Sequence, residues 1–358
     1  MKIVFLYSGG RAQRVGAIRE KRAATEFFYG AIELAQQGHD INFLEIQKAP
    51  SSWVTVYNTL FGWMMPIRTS GDDVLAVGQL LSRLREAECI VATTTTLALA
   101  IAIWKKINWI RTPMVGIHCG LLNYPPQGIK RWMTRALLKG SPMAFFARPE
   151  AEGVRDFYNL SETIEVPFGV DTDFWSPANF EESYVLSVGN DSRRDYETLI
   201  AAAEQCALPV KILTSCSMPP ALPSNVSVLR GSWKNPVLDD AELLHLYRKA
   251  RLVVIPLHEC IQPSGQSVAL QAMACGKPVI LTRTRGLWTE QKFNDNQEIV
   301  LVPERNPTIL AQQMLKLWND PAQCSRMGAL ARAAVLRVGD IHAFANGILE
   351  CCNKAIAA

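Results

Sequence analysis

Ser264-Gly265-Gln266-Ser267 is the stretch of this chain best suited to holding a charged ligand. It falls between an apolar run and a helical pattern, so it reads as a strand-to-helix turn. Ser264 or Gly265 can cap the helix, and a glycine lets backbone approach a ligand closely. A helix N-terminus offers unpaired amides and a partial positive charge, which together suit a phosphate. Ser267 and Gln271 are four residues apart and share one helix face. Gln271 is therefore expected one turn beyond the phosphate, where a ribose would lie. An ordinary capped turn with no ligand fits the same residues.

Other candidates follow apolar runs in the same way. Arg193 and Arg194 lie in the loop Gly189–Asp195, after the run Tyr184–Val188. Fixed cations there can stabilise charge on a departing phosphate; they can also stand solvated beside Asp191 and Asp195. His118 closes the run Met114–Ile117, a place for a cleft contact or for a packed core histidine. Glu259 follows Leu252–Pro256 and can accept from ligand hydroxyls or pair with His258. Gly9-Gly10 follows the first apolar run, with Arg11 and Arg14 behind it. The five histidines are scattered, and no metal site is expected.

These residues need elements to hold them. Short apolar runs at Ile3–Tyr7, Ile41–Ile46, Cys89–Thr93 and Met114–Ile117 read as buried strands, with helical patterns at Thr25–Gln37 and Leu97–Ile107 between them. The pattern restarts after Pro177, with strands at Tyr184–Val188, Val210–Leu213, Val226–Leu229, Leu252–Pro256 and Pro278–Thr282. Helices at Tyr196–Cys206, Leu243–Lys249, Ser267–Cys275 and Thr308–Trp318 alternate with them. Alternation of this kind implies parallel sheets covered on both faces. The expected organisation is an α/β protein of two Rossmann-like domains facing across a cleft: residues 1–166, residues 167–340, and a last helix within 341–358 that ends the second domain or folds back on the first.

The chain has 358 residues, 49% hydrophobic and 20% charged, with a net charge of +4. That length suits two cores rather than one. The mild positive charge fits an anionic substrate or a membrane surface and falls short of a dedicated nucleic-acid binder. Nine cysteines without a Cys-x-x-Cys pair argue for a reducing, cytoplasmic setting. Residues 127–147 carry Ile129, Trp132, Met133, Ala136 and Leu137 at helical spacing among Lys130, Arg131, Arg135 and Lys139. Such a helix either lies on an anionic membrane or packs its stripe inward with cations outside. The aromatic region Trp53–Pro66 is a second candidate for acceptor or membrane contact, so contact with the inner face of a membrane stays open.

The second half of the chain resembles the family 4 glycosyltransferases of the GT-B class. The run Val166-Pro167-Phe168-Gly169-Val170-Asp171-Thr172-Asp173-Phe174-Trp175-Ser176-Pro177 resembles the family's interdomain segment. Val185–Gly189 resembles its first second-domain strand, and Ala272–Ile280 follows its A-M-A-x-G-x-P-V-I run closely. The first half matches only loosely. The resemblance implies a GT-B fold, a UDP- or GDP-sugar as substrate with no cofactor or metal, and hexosyl transfer with retention to an unidentified small-molecule, glycan or lipid-linked acceptor. It implies donor contacts from Gly10, Arg193, Arg194, Ser264, Gly265, Gln266, Ser267 and Gln271, and catalytic roles for His118, Arg194 and Glu259. It leaves open a nucleotide-sugar epimerase or hydrolase and a non-catalytic partner subunit. The family pattern carries two glutamates eight residues apart; here Pro263 and Gln271 occupy those places. With Gln271 facing ribose, a glutamate at 271 is expected to be tolerated. Base selection is expected from loops near Thr214 and Arg230–Lys234.

Overall fold

Among the described residues the strands are short, the central ones are buried, and they form two separate parallel sheets. We describe a computed structural model, covering all residues except 48, 67–68, 179, 181–182, 232–237 and 289–291. Part of the base-selection loop, residues 232–234, thus lies outside the described residues.

The first sheet holds β1 (Lys2–Tyr7), β2 (Asp40–Glu45), β3 (Cys89–Ala92), β4 (Met114–His118), β5 (Met143–Phe145) and β6 (Thr163–Glu165). Its order is β2-β1-β3-β4-β5-β6, every pair parallel. The second holds β7 (Tyr184–Val188), β8 (Val210–Thr214), β9 (Val226–Arg230), β10 (Ala250–Ile255), β11 (Val279–Thr282) and β12 (Val300–Val302). Its order is β12-β11-β10-β7-β8-β9, again all parallel. Strands buried on both faces need no polar alternation, which is why β3, β4, β7 and β11 read as continuous apolar runs.

The chain divides into two compact units, each with one sheet. Unit 1 is Met1–Val15, Phe27–Pro167 and Phe344–Ala358; unit 2 is Gly16–Glu26 and Phe168–Ala343. Residues 16–26, which the sequence pattern assigns to the first domain, therefore pack with the second. The last helix, Ile341–Ala357, begins in unit 2 and continues in unit 1.

One expected helix is broken. Thr25–Gln37 forms a single 3-10 turn, Glu26–Phe28, and a separate helix, Ala31–Gln36. Tyr29 and Gly30 between them adopt left-handed backbone, with φ of 55° and 84°. A Cβ on Gly30 would stand 2.7 Å from the Ala345 Cα, so only glycine allows that approach.

In each sheet the order reverses beside the first strand of the unit. From β7 the chain lays down β8 and β9 on one side, then crosses to β10, β11 and β12 on the other. The loops leaving β7 and β10 thus diverge at a topological switch point, where ligands of open α/β sheets bind. The loops leaving β1 and β3 hold the same position in unit 1.

Candidate functional site

The loops after β7 and β10 are laced together. The Asp195 amide donates to Pro256 O at 3.1 Å, the His258 amide donates to Arg193 O at 2.8 Å, and Arg194 forms an antiparallel bridge with Leu257. Asp195 caps the helix Tyr196–Cys206, accepting from the Thr198 amide at 3.1 Å and hydroxyl at 2.7 Å. This lacing fixes the backbone from which Arg194 projects.

The Arg194 side chain is 3% exposed, and its Nε donates to Asp191 Oδ2 at 2.8 Å. Its Nη1 is buried with no hydrogen-bond partner among the described residues. Space for the guanidinium exists because residue 189 is glycine: a Cβ there would stand 2.2 Å from Arg194 Nε. An arginine held on one edge by a carboxylate and bare on the other is oriented for an anion it does not yet touch. Leaving such a donor dry and unpaired costs on the order of 1–3 kcal/mol, more when charged.

The helix Gln266–Ala274 starts beside it. Gly265 caps this helix in left-handed backbone, φ 78°, with no side-chain cap. The place a Gly265 Cβ would take lies 3.6 Å from Arg194 Nη1 and only 2.8 Å from Ile255 Cγ2. Close by in sequence, Ser264 Oγ and Gln266 Nε2 are buried and unpartnered too. Arg194 Nη1 beside the uncapped start of this helix is a combination suited to an anion, and the two unpartnered side chains flank Gly265 in sequence. A pocket of about 490 Å³ opens next to it, lined by Arg194, Tyr196, Glu197, Cys216–Pro220 and His258. Ser267, half-buried, sits at the rim of the turn. Arg193 is half-buried with an unpartnered Nε. Arg193 and Arg194 are therefore not a solvated pair.

Gln271 departs from the expected ribose contact. Every residue from Val268 to Ala274 is buried, and both ends of the Gln271 amide are already hydrogen-bonded. The Gln271 Oε1 accepts from the Tyr247 hydroxyl at 3.1 Å, and its Nε2 donates to Glu26 Oε1 at 2.8 Å. Trp175 Nε1 donates to the same oxygen at 2.8 Å. Glu26 is fully buried, and burial raises its pKa to about 7 against the pull of those two hydrogen bonds. Gln271 is thus one post of a buried network that fastens residue 26 to unit 2. The apolar surround of Gln271 in Val268-Ala269-Leu270-Gln271-Ala272-Met273 is a signal that could have placed it inside.

Two further expectations change. His118 has no exposed surface. Its Nδ1 lies 3.1 Å from Thr95 Oγ1, its ring stacks on Phe145, and Gly116 leaves room for Nε2. Burial lowers its pKa to about 3, so the ring is neutral, and its Nε2 is buried with no hydrogen-bond partner among the described residues. Glu259 is paired with Arg285 at 2.9 Å, not with His258, whose Nδ1 is 3.6 Å from Asp195. In unit 1, Gly9 and Gly10 adopt φ of 121° and 79° after β1, and Gly10 is exposed. The Glu45 carboxylate accepts from the Arg11 and Ala12 amides behind them.

Comparison with known proteins bears on unit 2. Residues 185–320 match the family model described as Glycosyl transferases group 1. That stretch runs from Val185 in β7 past β12 and contains the whole Arg194–Gly265 site. A D-inositol 3-phosphate glycosyltransferase of Frankia alni is 40% identical over 95 residues, 26% of this chain and 22% of that protein. Another, from Kineococcus radiotolerans, is 33% identical over 128 residues, 34% and 28% of the two chains. The matches therefore span only about a quarter of these relatives' length.

The fold is shared far more widely. Sucrose-phosphate synthase from Thermosynechococcus elongatus superposes with a TM-score of 0.73 at 17% identity, over 100% of this chain and 99% of that one. Anabaena Alr3699/HepE in complex with UDP-glucose gives 0.70 at 15% identity, over 99% and 100%. Two parallel six-stranded sheets in this order are the GT-B fold of those glycosyltransferase structures.

Proposed function

We propose that this chain is a metal-independent glycosyltransferase that moves a hexose from a UDP- or GDP-sugar to an acceptor with retention of configuration. The observation that carries this reading is the bare, buried Nη1 of Arg194 beside Gly265 at an uncapped helix start. The group 1 match over the same residues supports it, as does the glycosyltransferase naming of the matched relatives. The family match falls in the half that holds this site, so it supports the donor chemistry and carries no acceptor.

Breaking the bond from the sugar carbon to the diphosphate oxygen leaves negative charge on the nucleotide. Arg194 Nη1 and the helix amides would receive that charge, fixed in place before the reaction. The acceptor hydroxyl would lose its proton to the departing phosphate oxygen on the same face, so no enzymic nucleophile takes part. Asp191 would hold the guanidinium in register. A cytoplasmic setting follows from the same reading, since nucleotide sugars are made there.

A thermal-shift panel of UDP, GDP and their sugars tests the donor. A ligand binding the folded state at about 100 times its Kd stabilises by about 2.7 kcal/mol. The expected result is a shift with one nucleotide series, lost in Arg194→Gln, whose own melting stays near the parent's. No shift with any nucleotide would sink the donor reading and favour a non-catalytic chain. Donor turnover that needs no acceptor would make it a hydrolase or epimerase instead.

A further inference from the structure

Between Glu88 and Glu150 the sequence has eight lysines and arginines and not one acid, although the whole chain is only +4. This stretch builds two neighbouring helices of unit 1, Thr95–Lys106 and Gly128–Leu138, which pack against each other. Their C-terminal ends meet: Lys105, Lys106 and Lys139 line one pocket of about 230 Å³. Lys105 is spent on local structure, donating to the Arg111 and Thr112 carbonyls. Lys106, Arg111, Lys130 and Lys139 have no ion-pair partner among the described residues.

Large apolar side chains stand out among these cations. Trp109 is 55% exposed and Trp132 61%, with Ile107 and Ile129 exposed beside them in sequence. Ile129, Trp132, Ala136 and Lys139 follow one another at helical spacing, along the side of the helix that its buried residues Thr134, Leu137 and Leu138 do not occupy. The apolar surface continues past Trp109. Its ring lies 5.3 Å from Trp104, and Trp104 shares a pocket with Trp53. Trp53 opens the uncharged helix Ser51–Phe61, which buries none of its residues. Trp53, Val56, Leu60 and Trp63 are all more than half exposed and recur every three or four positions.

We infer that this face of unit 1 docks on an anionic lipid bilayer. An exposed apolar stripe has no reason to persist in water unless something covers it. Here the cover is indicated by charge: cations without acids suit a surface of phosphate headgroups, and tryptophans suit the boundary between headgroup and acyl chain. The sequence offered inward packing of Trp132 and Ile129 as the alternative, and the structure leaves both exposed. No helix among the described residues is long and apolar enough to cross a membrane, so the contact is peripheral. The inference is independent of the proposed chemistry, and its test needs neither donor nor acceptor.

The test is co-sedimentation of the full chain with vesicles of phosphatidylcholine alone and of phosphatidylcholine with roughly one-third phosphatidylglycerol. Binding is expected only to the anionic vesicles and is expected to fall with added salt. Lys106→Gln with Lys139→Gln should weaken it about 30-fold, since each surface cation contributes roughly five-fold. Trp132→Ser with Trp53→Ser should weaken it further and leave melting near the parent's, because both side chains are exposed. Equal binding to both vesicles, no binding to either, or binding that ignores both double variants would overturn the inference. Elution of the vesicle-free chain as a dimer that the Trp132→Ser, Trp53→Ser variant converts to monomer would overturn it as well, by giving the face to a second copy.

Discussion

Replacing Gln271 by glutamate is the sharpest test of the buried network, because it inserts a second carboxyl 2.8 Å from Glu26 Oε1. In the parent, the Glu26 pKa is raised from 4.5 to about 7. Its contribution to stability is therefore full below about pH 4.5 and is lost as pH rises through about 7, a swing of about 3 kcal/mol. In Gln271→Glu two carboxylates cannot both ionise at that distance, so one must stay protonated. Holding a carboxyl of ordinary pKa neutral costs about 1.4 kcal/mol per pH unit above that pKa: about 1 kcal/mol at pH 5 and near 5 at pH 8. The short bond from acid to carboxylate returns part of this, leaving about 3 kcal/mol at pH 8. For a unit of this size that is a fall in Tm of roughly 6–12 °C at pH 8 and little or none at pH 5, where the same bond offsets the whole cost. Calorimetric melting at the two pH values reads it directly. Adding Glu26→Gln restores one acid and one amide and should recover most of the loss. A Gln271→Glu protein as stable as the parent at pH 8, or one equally weakened at both pH values, would refute the network. The structure thus reverses the expectation that a glutamate is tolerated at 271.

Other outcomes can be stated briefly. Gly265→Ala places a Cβ 2.8 Å from Ile255 Cγ2 at a φ of 78°, and should lower stability by about 1–3 kcal/mol in urea melts. Asp191→Asn keeps a hydrogen bond to Arg194 Nε but removes its charge, and should raise the KM for donor several-fold while melting stays near the parent's. His118, with its pKa lowered from 6.5 to about 3, contributes stability present above pH 6.5 and lost as pH falls toward 3. His118→Gln should therefore flatten the loss of stability between about pH 6.5 and 5, read as urea midpoints across that range.

The central strands were legible because burial on both faces writes itself as an unbroken apolar run. β1, β3, β4, β7, β10 and β11 all emerge within a residue or two of where their runs lie. The short strands β5, β6 and β12 carry three residues each, too few for a pattern. The break at Tyr29–Gly30 was hidden because its cause, Ala345, is far away in sequence. In the candidate site, the glycine turn and Arg194 were readable from local spacing, since a loop after a strand and a helix start are local facts. The orientation of Arg194 was not, because it depends on Gly189 leaving space and on which aspartate takes Nε.

Gln271 shows why a motif departure need not mean a decayed site. Read along the chain, position 271 has lost a carboxylate. In the folded unit a carboxylate is still there, supplied by Glu26 from 245 residues away and held by Trp175 and Gln271. That pocket has two N–H donors aimed at one oxygen, and it satisfies one buried acid. A second would have to be paid in protons, as the pH dependence above makes explicit. Glutamine at 271 is the residue type that donates to Glu26 while still accepting from Tyr247. The substitution is coherent with its surroundings, whereas drift after loss of function has no reason to preserve four mutually satisfied buried groups. On the proposed reading, nucleotide contact then rests on Arg194, Gly265 and Gln266, whose donors remain unspent, and not on Gln271, whose hydrogen bonds are already made.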